Sequence, residues 1–283
     1  MRRIFTWRSL LFVPVVMVIL AFPFGPLFPW SPIHPGYQER HSRRADVLYP
    51  TGTELADAYV HIDELIERAE KFHRLPIKAR VSVIVCRDWA DFERFMPHLR
   101  GRLAAAVTLF TGRTIYVTPR VAESRYEIGE FVRHELSHAA MHQNQSLFET
   151  IQTMHQQWFC EGLAVSFGEQ KAYITPWEFL DLARKEDLGP IIDPERAKDV
   201  PIPLSMRIRY QVWRYFLEYL IDAHGRDLFQ QYLIAFMGNS NNYRALFERS
   251  YRVSLPKAIE EFQTAIRTGL WRPDRNFVIH HMQ

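Results

Sequence analysis

Cysteine is nearly absent from this chain, with only Cys86 and Cys160 in 283 residues. Two thiols make neither a disulfide framework nor a cysteine-rich zinc site. They read as two buried small side chains, with pairing in an oxidising compartment as the alternative. Charge of one sign is missing too. The 35 basic and 32 acidic residues give a net charge of +3, scattered rather than striped, and no nucleic-acid motif occurs. That excludes a nucleic-acid partner. Low-complexity tracts and internal repeats are lacking. With 20 Phe, 12 Tyr and 7 Trp, disorder is excluded for most of the chain. A second long apolar run is also lacking, which excludes a protease embedded in the bilayer. The remaining balance, 47% hydrophobic and 24% charged, is that of a globular protein with ample core.

The one long apolar run lies at the N-terminus. Arg2, Arg3 and Arg8 precede residues 10–30, LLFVPVVMVILAFPFGPLFPW, which carry no charge. About 20 apolar residues cross a hydrocarbon core of about 30 Å. The basic flank predicts a single-pass anchor, N-terminus in and the rest of the chain extracytoplasmic, periplasmic or extracellular. The alternatives are a cleaved signal peptide, whose small-residue cleavage pattern the stretch from Ala21 to Pro26 matches poorly, and a buried hydrophobic segment.

Past the anchor, residues 31–50 are rich in Pro, Gly and charge and read as a linker. Thr51 and Glu54 have capping-box spacing ahead of an amphipathic helix over 54–73, closed by Pro76. Residues 80–86, 104–110 and 114–117 read as strands, the last two joined as a hairpin through Thr111, Gly112 and Arg113. Residues 89–96 look helical. Helices are expected over 123–142, 158–169, 207–224 (ended by Gly225), 227–236 and 256–267. The expected class is therefore α+β in one composite domain over 51–270, with a tail at 271–283.

His134, Glu135 and His138 match H-E-x-x-H on a helix whose apolar stripe is Ile128, Phe131, Val132, Leu136 and Ala139. Positions i and i+4 share one helix face, so two imidazoles meet one zinc ion and the intervening Glu reaches its water. A catalytic zinc needs a third protein ligand and an open position. Downstream, Glu161 sits in W-F-C-E-G-L-A, a carboxylate among aromatic and small residues that is costly to bury unless paired or metal-bound. Gly162 and Ala164 beside it allow close helix packing. Cys160 is a rival ligand, but neighbouring helical positions point about 100° apart, so both cannot face the metal.

H-E-L-S-H followed 23 residues after His138 by the Glu of W-F-C-E-G-L-A resembles the gluzincin metallopeptidases, and most the peptidase-MA-like branch. The resemblance spans about residues 75–265 and implies a thermolysin-like catalytic core. His134, His138 and Glu161 would then hold one Zn2+, with Glu135 as general base. It also implies that an edge strand, here 104–110, aligns an extended peptide or protein substrate. Two departures stand out. Gln156 and Gln157 stand where the family carries Pro. Val165 stands where thermolysin-like members place an Asp that supports a zinc-bound His.

In that chemistry Glu135 takes the proton of the attacking water and passes it to the leaving amine. A further donor stabilises the oxyanion. Tyr210, opening Y-Q-V-W-R-Y-F-L-E-Y-L, is the first candidate, with Tyr215 and His224 behind it. The expected function is a membrane-anchored zinc peptidase. The alternatives are a zinc amidase acting on a cell-wall substrate and a non-catalytic binding or assembly protein that keeps the zinc fold; an intact Glu135 argues against the last.

Overall fold

A computed structural model describes residues 22–101, 104–123, 127–170, 175–184, 192–196, 204–273 and 277–280. The apolar run up to residue 21 lies outside them, so the expected single-pass anchor falls outside the described residues. Among the described residues, no helix is long and apolar enough to cross a membrane.

Five strands form one mixed sheet: β1 Tyr37–His41, β2 Ala45–Pro50, β3 Val81–Val85, β4 Ala106–Thr108 and β5 Thr114–Val117. Their spatial order is β1-β2-β3-β5-β4. The two outer pairs are antiparallel, and β3 pairs in parallel with both β2 and β5. Strand alternation divides the side chains between two cores. Ala45, Val47, Val81, Val83, Ile115 and Val117 face the main one, while Leu48, Ile84 and Tyr116 face a smaller one with Phe92 and Phe95.

The helices follow as α1 Asp57–Val60, α2 Ile62–His73, α3 Trp89–Phe95, α4 Pro119–Glu123, α5 Ile128–His142, α6 Leu147–Met154, α7 Gln157–Gly168, α8 Pro176–Arg184, α9 Leu204–His224, α10 Arg226–Gly238, α11 Tyr243–Tyr251, α12 Leu255–Thr268 and α13 Phe277–His280. The fold is α+β, a small sheet followed by a helical half. In α2, Ile62, Leu65, Ile66, Ala69 and Phe72 are buried at helical spacing against the main core. Helix α7 is buried nearly all round, sandwiched between α5 and α9. A Cβ on Gly162 would meet the Trp213 carbonyl oxygen at 2.8 Å, so only glycine lets α7 and α9 approach this closely. The expectation of close packing at Gly162 is met. Gly225, at φ +88°, ends α9 as expected.

Several expectations are corrected. The linker at 31–50 is not a linker: it carries β1 and β2. Val47 and Leu48 are buried on opposite faces, and exposed, polar β1 closes the edge with a full antiparallel register. β1 is exposed on both faces, so it has no hydrophobic alternation to read. The helix at 54–73 is two helices, and the Thr51–Glu54 capping box does not form because α1 starts only at Asp57. The long helix at 123–142 is likewise split into α4 and α5, leaving Glu123 outside the helix that carries His134 and His138. The tail is folded in: Phe277 and Val278 are buried, and the indole N–H of Trp271 donates to Asp222 Oδ2 at 2.8 Å. The apolar run also ends sooner than residue 30, because Phe28 lies in the smaller core, stacked on Phe95 at 4.2 Å between ring centroids.

Candidate metal centre

Helix α5 presents His134 and His138 one turn apart, and α7 brings Glu161 across from them. His134 Nε2 lies 3.2 Å from His138 Nε2 and 3.3 Å from Glu161 Oε2. His138 Nε2 lies 3.6 Å from Glu161 Oε1. Two donors about 2.0–2.1 Å from one tetrahedral zinc stand about 3.3–3.4 Å apart, so this spacing fits that ion. The chemistry fits as well: two imidazoles and one carboxylate form a catalytic-type donor set with a fourth position left over. Glu161 keeps 25% side-chain exposure, against 10% and 12% for the histidines, so its side of the cluster is the open one.

Electrostatics ties the three together. Burial opposes ionisation of Glu161, yet the facing imidazoles, His138 foremost, hold its carboxyl well below the usual range. Burial likewise opposes charge on His138, and Glu161 outweighs it and raises that pKa. A carboxylate kept ionised among imidazoles is what a divalent cation needs from its ligands. Cys160 is no rival. Its Sγ donates to the Thr153 carbonyl of α6 at 3.3 Å, and burial pushes the thiol pKa up.

Glu135 follows His134 and is buried, and its carboxylate is aimed by a residue the sequence did not single out. The Thr108 hydroxyl, on edge strand β4, lies 2.6 Å from Glu135 Oε2 and 3.0 Å from the Glu135 carbonyl. The strand is fastened to α5 at two further points. His142 Nδ1 lies 3.2 Å from the Leu109 carbonyl, and the Gln143 amide donates to the Gly112 carbonyl at 2.8 Å. His142 also stacks on His138, and burial pushes its pKa down to about 4, so it is neutral at ordinary pH. Gly112 has φ +66°, and a Cβ there would meet the Ala139 carbonyl at 2.8 Å; only glycine lets the hairpin tip sit against α5. In the β4–β5 register, Leu109 N–H bonds to Thr114 and Ala105 C=O to Thr118, so the main-chain groups of Ala106 and Thr108 face outward. The strand expected at 104–110 is thus an edge strand beside the cluster.

His134 has a partner in place of the missing Asp. Val165 is buried in the core, and Gln170 Oε1 lies 3.2 Å from His134 Nδ1 instead. Tyr210, on α9, presents its ring edge-on to His134, with centroids 6.4 Å apart. The weaker candidates are not brought in. Tyr215 lies five positions on, about 140° around the helix, and packs against Phe179; His224 packs against Tyr251. A second grouping, Glu39, His41 and Asp46, is an exposed ion-pair set on β1–β2 in which Arg80 engages Asp46.

No family model and no curated protein matches this chain.

Proposed function

We propose that this chain is a zinc-dependent peptidase of the gluzincin type, peptidase-MA-like, anchored to a membrane through the apolar run that begins at residue 10 and ends before Phe28, with its site on the extracytoplasmic side. One observation carries the reading: three ligand atoms at 3.2–3.6 Å spacing, with a buried carboxylate one residue from the first of them and an open strand edge alongside. His134, His138 and Glu161 would hold the ion. A zinc ion there supplies Lewis acidity and lowers the pKa of water to about 7.

The chain's own residues do the rest. Glu135, held by Thr108, accepts the proton of the attacking water and returns it to the leaving amine. The outward main-chain groups of β4 pair with an extended peptide and set its carbonyl over the cluster. Tyr210 donates from the α9 side to the oxygen that becomes negative, a contribution of about 3 kcal/mol for a well-placed donor.

The test is a purified chain assayed for zinc and for cleavage of a mixed peptide library. The expected result is about one zinc per chain, with Glu135→Gln keeping the metal and losing cleavage. Tyr210→Phe should lower kcat roughly 100-fold at unchanged zinc content. A wild-type chain that holds zinc and cleaves nothing sinks the peptidase reading.

A further inference from the structure

Three exposed apolar side chains lie close together in the sequence, just before the sheet begins. Phe24 is 46% exposed, Trp30 56% and Ile33 60%. Single apolar residues on a surface are ordinary. These differ because the backbone beneath them is fastened. The Phe28 N–H bonds to the Gly25 carbonyl at 3.0 Å, Trp30 N–H to Leu27 at 3.0 Å and Ser31 N–H to Phe28 at 3.1 Å. The Ser31 hydroxyl donates to the Ile33 carbonyl at 2.5 Å and accepts from the Ile33 N–H at 3.2 Å. His34 Nε2 lies 3.2 Å from the Phe28 carbonyl, and the Phe28 ring packs among Phe95, Tyr37 and His34. A turn tied at so many points holds its outward side chains outward.

The chain that precedes this turn says what covers it. Only six residues separate Ala21, in the apolar run, from buried Phe28. Fully extended they span about 20 Å. A bilayer that takes up the run therefore has its surface beside this turn. Tryptophan favours that boundary, where the ring is apolar and the N–H stays wet. A second copy of the chain fits less well. Three half-exposed side chains present roughly 350 Å2, short of the 800 Å2 or so that a stable interface takes from each partner. Headgroup charge is not the attraction either. Arg87 and Arg94, whose guanidinium groups lie over Tyr37 and Phe95, are balanced by Asp91 between them and by Asp88 at the cap of α3.

We infer that Phe24, Trp30 and Ile33 insert into the interfacial layer of a lipid bilayer, so that the domain sits on the membrane by the side of its smaller core. The inference rests on anchoring through the apolar run and is independent of the peptidase reading. It bears on the metal centre. Phe28 belongs to the smaller core on one face of the sheet, whereas α5, which carries His134 and His138, packs on the main core at the other face. The sheet then stands between the bilayer and the cluster. On the peptidase reading, the substrate class is a polypeptide in water rather than one lying in lipid.

The experiment uses the full chain in neutral phosphatidylcholine vesicles that contain nitroxide-labelled lipids. A polarity-sensitive fluorophore is attached at Ile33→Cys or at Leu270→Cys, an exposed position on the helical half. Cys86 and Cys160 are buried and do not compete for the label. The label at residue 33 should shift to the blue and be quenched by the lipid nitroxides several-fold more than the label at residue 270. Phe24→Ser combined with Trp30→Ser should remove most of that quenching while a carbonate wash still leaves the chain in the vesicles. Adding anionic lipid should change neither result. Equal quenching at the two positions, or quenching untouched by the double variant, overturns the inference. So does a blue shift at residue 33 that lipid nitroxides do not quench, as burial against a second chain would give, or quenching that requires anionic lipid. In each of these cases a chain retained through the wash leaves the anchoring intact. Release of the chain by carbonate ends the anchoring and this inference together. Zinc content and peptide cleavage are measured separately, and neither outcome touches them.

Discussion

Thr108 shows how much one hydroxyl carries at this site. It has a single proton and two acceptors of Glu135 within 3.0 Å, the nearer being the carboxylate at 2.6 Å. A hydrogen bond to a charged group contributes about 1.5–3 kcal/mol. Thr108→Val keeps the shape and removes the donor, so kcat is expected to fall about tenfold or more. Zinc content and KM should be nearly unchanged, and Thr108→Ser should restore most of the rate. A fall in KM alone, or no rescue by serine, would count against an orienting role. Nothing in the sequence marks Thr108, because its meeting with Glu135 depends on the order of strands in the sheet. Gln170 is equally hidden, since a non-glycine left-handed turn at Glu169 leaves no compositional sign. The two histidines were legible because i and i+4 on a helix share a face, while Glu161 was read partly from a setting that ordinary carboxylates avoid and partly from the resemblance to the gluzincins.

Helices α7 and α9 hold Glu161 in place through a polar contact as well as an apolar one. Arg214 Nε donates to Glu218 Oε1 at 2.7 Å within α9, and the Ser166 hydroxyl of α7 donates to the same oxygen at 3.0 Å. Glu218 is fully buried, and that burial raises its pKa against the pull of Arg214. Removing one partner of a buried pair leaves an uncompensated charge and costs about 3–5 kcal/mol. Arg214→Met is therefore expected to lower the unfolding midpoint in urea sharply. The double variant Arg214→Met/Glu218→Leu should recover most of the loss; if it is no better than the single one, the arginine acts through packing alone. At this scale the sequence was readable where burial was one-sided, as in helix α2, or where a short β-branched run marked a strand buried on both faces, as in β3 and β5. Helix α6 was not readable: it buries Thr150 and Thr153 and exposes Leu147, Phe148, Ile151 and Met154, the reverse of the usual pattern.

Across the whole molecule, His73 sets a pH dependence. It is buried against Phe72 and Phe167 with neither ring nitrogen hydrogen-bonded. Burial first, then the nearby charges of Arg226 and His138, push its pKa down to about 3. In the unfolded chain it titrates near 6.5. Between those values the unfolded chain holds the extra proton, so this contribution is complete above about pH 6.5 and is lost progressively as pH falls toward 3. His73→Phe should flatten the slope of unfolding free energy between pH 7 and pH 4, read as a difference from wild type so that protonation of the metal ligands cancels. An unchanged slope would show that the ring finds a proton partner in the native state.

Phe28 has a consequence for how the domain is carried. It is 1% exposed, and Ser31, at 6%, follows it into the fold, so residues 28–31 are already part of the body before β1 begins. The apolar run therefore meets the sheet with almost no slack between them. Under the proposed anchoring through the apolar run, the membrane would hold the domain by a handle rather than a leash. The site would then have a set height and a set facing. Its reach would be limited to substrates that come to that height, and lengthening the chain between residues 22 and 28 would alter that reach without touching a single residue of the centre.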